Sequence, residues 1–266
     1  VRTTIVAAFL IAACGSQVDD RDIATTSAVP VAPQTHSSPS QPEHPVILAE
    51  LYTSQGCSSC PPADRLLSSI DELAADGADV IPLAFHVDYW DDLGWRDPFS
   101  DAAWTERQQH YAARVSQGRV YTPMMVVQGR EHMVGSSRDE VSEALARAAR
   151  APATGASIEG RAGGDGRVAI EARAGDAPAS AYVALVESGI DTRVLRGENQ
   201  GRVLHSDHIV RRLRRAFELA PHQRKSETVE LALDPGWRRE HLEVVLFLQD
   251  PESLAIEGAT RATRSP

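Results

Sequence analysis

The chain has 266 residues, of which 42% are hydrophobic and 24% charged, and its formal net charge is −10. That length holds two modest domains or one large one, and the composition is that of a globular protein. The acidic balance excludes a nucleic-acid-binding surface and broad adhesion to anionic lipid, and with 5% aromatic residues there are too few rings for a base-stacking platform.

The first stretch is not expected to fold. Arg2 precedes the apolar run Ile5 to Ala13, which is too short to span a bilayer and is built like a secretion signal. Leu10-Ile11-Ala12-Ala13-Cys14-Gly15 resembles a bacterial lipoprotein signal, so residues 1–14 are expected to end in a lipidated Cys14. That places the protein on the periplasmic or cell-surface side, tethered through its lipid, and Gly15 after the cysteine points to an outer membrane. Residues 15–45 are rich in Ser, Thr, Ala, Pro and Gln, and a segment with so little to bury is expected to be a disordered tether. Of the three cysteines, Cys57 and Cys60 then remain as the free thiols, in a compartment that permits disulfides.

Val46 to Tyr52 is a short apolar run suited to a buried strand, and Thr53 to Gly56 is a turn. After Cys60 the apolar residues Ala63, Leu66, Leu67, Ile70, Leu73 and Ala74 follow the helical period. The Cys-x-x-Cys pair thus sits between a strand and the first turn of a helix, where free N–H groups and the helix dipole favour thiolate, and it reads as a redox pair. Cys57, nearer the loop, is expected to be the more exposed and to attack; Cys60, one helical step deeper, is expected to resolve.

Val80 to Val87 reads as the second strand, and Pro82 within it predicts a sheet edge. A polar and aromatic loop runs from Asp88 to Phe99, and Trp104, Gln108, Tyr111 and Val115 mark a helical face. Val120 to Gly129 predicts a strand and turn, Glu131 to Val134 its partner, and Ser137-Arg138-Asp139-Glu140 a capping box that opens a helix ending near Pro152. This order gives an α/β domain over residues 46–151, with its first two strands parallel. Beyond Pro152 short apolar runs separated by Gly, Asp and Pro predict a smaller all-β, sandwich-like domain over residues 156–250, with residues 251–266 as a tail. Gly201 to Leu219 is expected to form a long bent strand.

Several side chains accompany the cysteines. Glu50 is an acid within an apolar strand; buried, it would have a raised pKa and could help Cys60 lose its proton, the alternative being a structural pair with an Arg. His86 and Asp88 close the second strand at the sheet edge that carries Cys57, and are candidates for tuning its pKa. Trp90, with Trp95 and Phe99, is a candidate wall of a substrate groove.

The strand and Cys-x-x-Cys with Pro61-Pro62-Ala63-Asp64, then His86 to Asp91, Leu93 to Phe99, Tyr121-Thr122-Pro123, and far downstream Gly197 to Arg202 with His205, resemble a secreted bacterial family known as domain of unknown function family 1223. The resemblance covers nearly all of the chain from Val46 onward, and it implies that the α/β domain is thioredoxin-like. In thioredoxin-like folds a cis-proline faces the active-site cysteines and its neighbour binds substrate, which would assign those roles to Pro123 and Thr122. The expected function is a thiol:disulfide oxidoreductase acting on protein thiols or disulfides outside the cytoplasm, with no cofactor beyond its redox-active disulfide. The alternative is a copper-binding accessory protein, with Cys57, Cys60 and His86 as Cu(I) ligands and Met124-Met125 as further soft donors.

Overall fold

The computed structural model describes Val1 and residues 44–74 and 77–265. The expected signal segment from Arg2, its Cys14, and residues 15–43 of the expected tether lie outside the described residues. Among the described residues no helix is long and apolar enough to cross a membrane.

The fold is mixed α/β, with large sheets and few helices. β1 (Val46–Thr53) leads through the Cys-x-x-Cys loop into α1 (Pro61–Ser68), then β2 (Asp79–His86), α2 (Ala102–Val115), β3 (Met124–Val127), β4 (Glu131–Val134) and α3 (Arg138–Ala149). β1 pairs in parallel with β2 and antiparallel with β3, which pairs antiparallel with β4. Thr53 and His86 are register partners, so the carboxyl ends of β1 and β2 share one sheet edge, where the cysteine loop begins. Alternation along β1 divides the layers. Ile47, Ala49 and Leu51 pack with Leu66 and Leu67 of α1 and with Val141 and Leu145 of α3, while Leu48 and Tyr52 pack with Trp104 and Tyr111 of α2. Ser137 stands at the N-cap of α3 as expected, but its side chain makes no capping hydrogen bond.

The second half continues in strands: β5 (Ser157–Ala162), β6 (Arg167–Arg173), β7 (Ala179–Glu187), the short hairpin of β8 (Ile190–Arg193) and β9 (Val203–Ser206), β10 (Ile209–Leu219), β11 (Arg224–Glu230), β12 (Leu242–Gln249), β13 (Ile256–Arg261) and β14 (Thr263–Arg264). The expected long bent strand is two strands, β9 and β10, and β10 carries two register shifts. A four-stranded sheet, β11-β6-β5-β14, packs Ile158, Val168, Ile170 and Val229 against Val183 and Leu185 of β7 and Leu246 and Leu248 of β12.

One expectation changes here: Pro82, expected at an edge, is found in the interior of an eight-stranded sheet ordered β13-β12-β7-β10-β2-β1-β3-β4. Its missing N–H does no harm because β10 joins β2 by the single bridge Ile209–Ala84. Ala84 donates to His208 O there; Pro82, two residues earlier and facing the same side, lies beyond that bridge. The two parts that meet at residues 151–156 also share apolar packing. One apolar cluster joins Leu48, Tyr52, Phe85 and Trp104 to Val186, Val210, Val245 and Phe247, and the supposed tail supplies Ile256 and Ala259 to it through β13. A fragment ending at Ala151 is therefore expected to expose half of this cluster and the open edge of β2. It should show no cooperative urea transition, whereas residues 44–265 should show one; a sharp transition for the short fragment would overturn the shared core.

Candidate functional site

The site starts from the backbone. After β1 the chain turns, with Cys57 N–H donating to Ser54 O at 3.2 Å, and Cys60 becomes the N-cap of α1. Pro61 and Pro62 fill the first helical positions, whose N–H groups have no partner in the helix in any case. Cys60 O accepts from Ala63 and Asp64 N–H at 2.8 and 3.1 Å. Cys57 and Cys60 form a disulfide, with their Cα atoms 5.4 Å apart. The Ser59 hydroxyl lies 3.3 Å from Cys57 Sγ.

Contrary to expectation, Cys57 is no more exposed than Cys60: both are 0% exposed, although Ser58 and Ser59 between them are open to solvent. The turn of the β8–β9 hairpin is bound to this loop. Glu198 accepts the Ser58 N–H through Oε2 at 3.0 Å. Buried Asn199 donates through Nδ2 to both Gln55 O and Cys57 O, each at 2.9 Å, and its Oδ1 accepts from Arg202 Nη1 at 2.7 Å. Gly197 lets the turn close down, since a Cβ there would stand 3.2 Å from Trp95 Cβ.

Behind the loop lies a titratable cluster. His86 Nδ1 and Asp97 Oδ2 are 2.7 Å apart and buried, and Asp97 also accepts the N–H of Gln55 at 2.7 Å and of Phe99 at 2.9 Å. Burial opposes charging of His86, but the Asp97 carboxylate outweighs it and raises the imidazole pKa above its usual range. Burial likewise disfavours ionised Asp97, yet His86 and the two N–H donors hold its carboxyl below the usual range. Asp64, in the first turn of α1, accepts the Thr53 hydroxyl at 2.7 Å. Burial pushes Asp64 up to about 6, against the downward pull of His86 and Thr53.

The substrate-binding candidates adjoin the loop. The Thr122–Pro123 peptide is cis. Trp90 Nε1 donates to Thr122 Oγ1 at 2.9 Å, and the same residue's Cβ would stand 3.0 Å from a Cβ on Gly56. Trp90 therefore bridges the residue before Cys57 and the residue before Pro123.

Two candidates lie elsewhere. Glu50 shares the face of Leu48 and Tyr52, which meets α2, whereas α1 covers the opposite face, so its carboxylate is turned away from the helix that Cys60 opens. It is bound by Arg107 at 2.8 Å and by the Tyr111 hydroxyl in a short hydrogen bond. Asp88 is tied to Thr105 of α2, whose hydroxyl donates to Oδ1 at 2.5 Å. The copper ligand set is not assembled either: the thiols are joined, His86 Nδ1 is engaged by Asp97, and Met124 and Met125 belong to clusters on opposite faces of the sheet. Among the described residues no group of three or more His, Cys, Asp or Glu is arranged to hold a metal ion.

Sequence reading did not single out Asp64, Asp97, Arg107, Glu198 or Asn199 for the roles they have. Asp64, Asp97, Glu198 and Asn199 do stand inside the motifs that carry the family resemblance, which was their available signal. Arg107 gave a weaker one: it lies three residues after Trp104 and four before Tyr111, on the apolar face of α2.

The fold resembles the crystal structure of a protein from Agrobacterium tumefaciens, at 26% identity and a TM-score of 0.65, over 84% of this chain and 96% of that one. It also resembles HBP35 of Porphyromonas gingivalis, with a TM-score of 0.65 over 84% of this chain and 77% of that one; at 14% identity this is a likeness of fold alone. No curated protein matches the sequence. The family described as Protein of unknown function (DUF1223) matches residues 48–249, which include the cysteine pair, the His86–Asp97 pair and the covering turn, and the chain belongs to that family.

Proposed function

We propose that this protein is an extracytoplasmic thiol:disulfide oxidoreductase, thioredoxin-like over residues 46–151 and carrying an all-β, sandwich-like second part over residues 156–250. The observation that carries the reading is the Cys57–Cys60 disulfide where β1 passes into α1, at the shared carboxyl edge of β1 and β2. The arrangement β2-β1-β3-β4, with α1 and α3 on one face and α2 on the other, supports the thioredoxin-like assignment. The sequence of residues 1–14 supports a lipid anchor at Cys14, and residues 15–45 a tether from an outer membrane.

In the exchange, a thiolate of a partner protein attacks Cys57 Sγ, the Cys57–Cys60 bond breaks, and the electron pair leaves on Cys60. A second partner thiolate then attacks the mixed disulfide. The partner loses two electrons and two protons and gains a disulfide; Cys57 and Cys60 become thiols. In the opposite direction Cys57 thiolate attacks a partner disulfide and Cys60 thiolate releases the product, with Asp64, one helical turn beyond Cys60, as the proton acceptor in place of Glu50. Thr122, Pro123 and Trp90 line the side of the loop where the partner segment would lie.

The experiment is trapping. Cys60→Ser is expected to accumulate mixed disulfides with protein partners and Cys57→Ser to accumulate few, as seen on non-reducing gels after acid quenching. The reverse pattern would exchange the two roles. Equilibration against glutathione buffers with and without Cu(I) tests the chemistry itself: a pair that never equilibrates with glutathione, yet binds Cu(I) once reduced, would sink the redox reading.

A further inference from the structure

The β8–β9 hairpin raises a question that the exchange chemistry does not answer. A disulfide whose two sulfurs have no exposed surface cannot be approached in line by an attacking thiolate. The cover is specific. Glu198 and Asn199 bind three successive features of the loop that holds the pair: Gln55 O, Cys57 O and the Ser58 N–H. The base of the turn is closed by backbone bonds between Val194 and Arg202 at 3.0 Å and between Gly201 and Val194 at 2.9 Å, so the turn is held together as one piece at the end of the two strands, and moving it would uncover Val194 and Leu204. Those strands pair only with each other, as a two-stranded ribbon outside the large sheets. Lifting the ribbon breaks no strand pairing in the eight-stranded sheet.

We propose that the β8–β9 hairpin is a gate over the Cys57–Cys60 disulfide, with Glu198 and Asn199 as its latch. In the closed state the latch occupies the backbone groups on either side of Cys57 and shields both sulfurs. Reaction at the disulfide proceeds from the open state, and its rate is reduced by the fraction of time the gate is closed. Arg202 is a positioning residue, since its guanidinium holds Asn199 Oδ1 and so turns the amide nitrogen toward the two carbonyls. The proposal rests on the redox reading for its biological purpose, but its test does not.

The test is the rate of reduction of the purified oxidised protein by dithiothreitol, which gives two electrons and two protons to the sulfurs of Cys57 and Cys60 and closes into its own ring disulfide. Asn199→Ala is expected to be reduced about tenfold faster than wild type, the order of effect of losing a buried hydrogen bond, and Glu198→Ala about threefold faster, because its bond to the Ser58 N–H lies at the surface. Glu159→Gln, at an exposed position on β5 in the four-stranded sheet, is expected to react like wild type. Latch variants within twofold of wild type, or a control accelerated as much as they are, would overturn the gate. If a latch variant fails to fold, hydrogen exchange on wild type decides: Ser58 N–H should be protected, and protection should weaken in step with faster reduction as temperature rises. A Ser58 amide exchanging freely while reduction stays slow would also overturn it. Should the variants accelerate reduction while the Cys60→Ser trap finds no partner, the gate stands and the oxidoreductase reading falls.

Discussion

Replacing Arg107 by Ala is expected to lower the folding stability by about 3–5 kcal/mol, because it strands the Glu50 carboxylate inside the protein. The side chain of Glu50 is 1% exposed and that of Arg107 12% exposed, so water cannot take over the lost partner. Arg107 donates to Glu50 Oε1 and to Gln249 Oε1, at 2.8 and 3.2 Å, and its guanidinium lies 5.2–5.8 Å from the ring centres of Phe85, Tyr111, Tyr182 and Phe247. Burial alone would favour neutral Arg107, but the adjacent carboxylate holds it firmly charged. The network joins β1 and α2 to β7 and β12, so its loss should loosen both halves of the molecule together. The double variant Glu50→Gln/Arg107→Met removes both charges and keeps comparable volume; it should be far milder, since replacing a buried pair is often nearly neutral. Urea unfolding with the disulfide intact measures both. A single-variant loss under about 1 kcal/mol, the size of an exposed pair, would show that the site is wetter than its burial indicates. Because Glu50 faces away from α1, neither change should alter disulfide exchange beyond its effect on the folded fraction.

Those residues show where sequence reasoning reaches and where it stops. The elements of the first half were legible because local period reports them: alternation along β1 and the apolar spacing of α1 and α2 each follow from residues a few positions apart. The cysteine pair was legible because its strand-loop-helix setting is local too. Pro82 misled because an edge was inferred from a missing N–H, when the deciding fact was how briefly β10, more than a hundred residues later, touches β2. The face of Glu50 was legible from its alternation with Leu48 and Tyr52, but which helix covers that face is a matter of topology. The latch lay furthest out of reach. Asn199 stands 142 residues from the cysteine whose carbonyl it binds, and no spacing rule connects them. Cys57 was expected to be exposed from its place in its own loop, and that local argument holds until a distant hairpin is laid over it.

Asp64→Asn is expected to stabilise the oxidised protein near pH 7.5 by on the order of 2 kcal/mol and to leave it nearly unchanged near pH 4. The sign follows from proton binding. Asp64 titrates at about 6 in the folded chain against 3.8 ordinarily, so through this interval the folded state holds the proton more tightly, and stability falls as pH rises. His86 acts in the same direction: its folded pKa is raised, so its contribution is complete below the ordinary imidazole value of 6.5 and is lost as pH climbs through the folded one. Asp97 acts oppositely, contributing above the ordinary carboxylate value of 3.8 and losing that contribution as pH falls through its depressed folded value. Asparagine at position 64 removes the rising-pH penalty while keeping an acceptor for the Thr53 hydroxyl. The magnitude is set below the full conversion of the shift because the carboxyl is only partly buried. Urea midpoints across this pH range measure the effect, and an equal change at both ends would mean that packing, not ionisation, is responsible. The same variant bears on the chemistry. With Asp64 as the proposed acceptor of the Cys60 proton, its loss should slow release of a mixed disulfide at neutral pH while leaving initial attack at Cys57 unchanged. A release rate that stays at the wild-type value would leave Asp64 with a cost to stability and no part in the exchange.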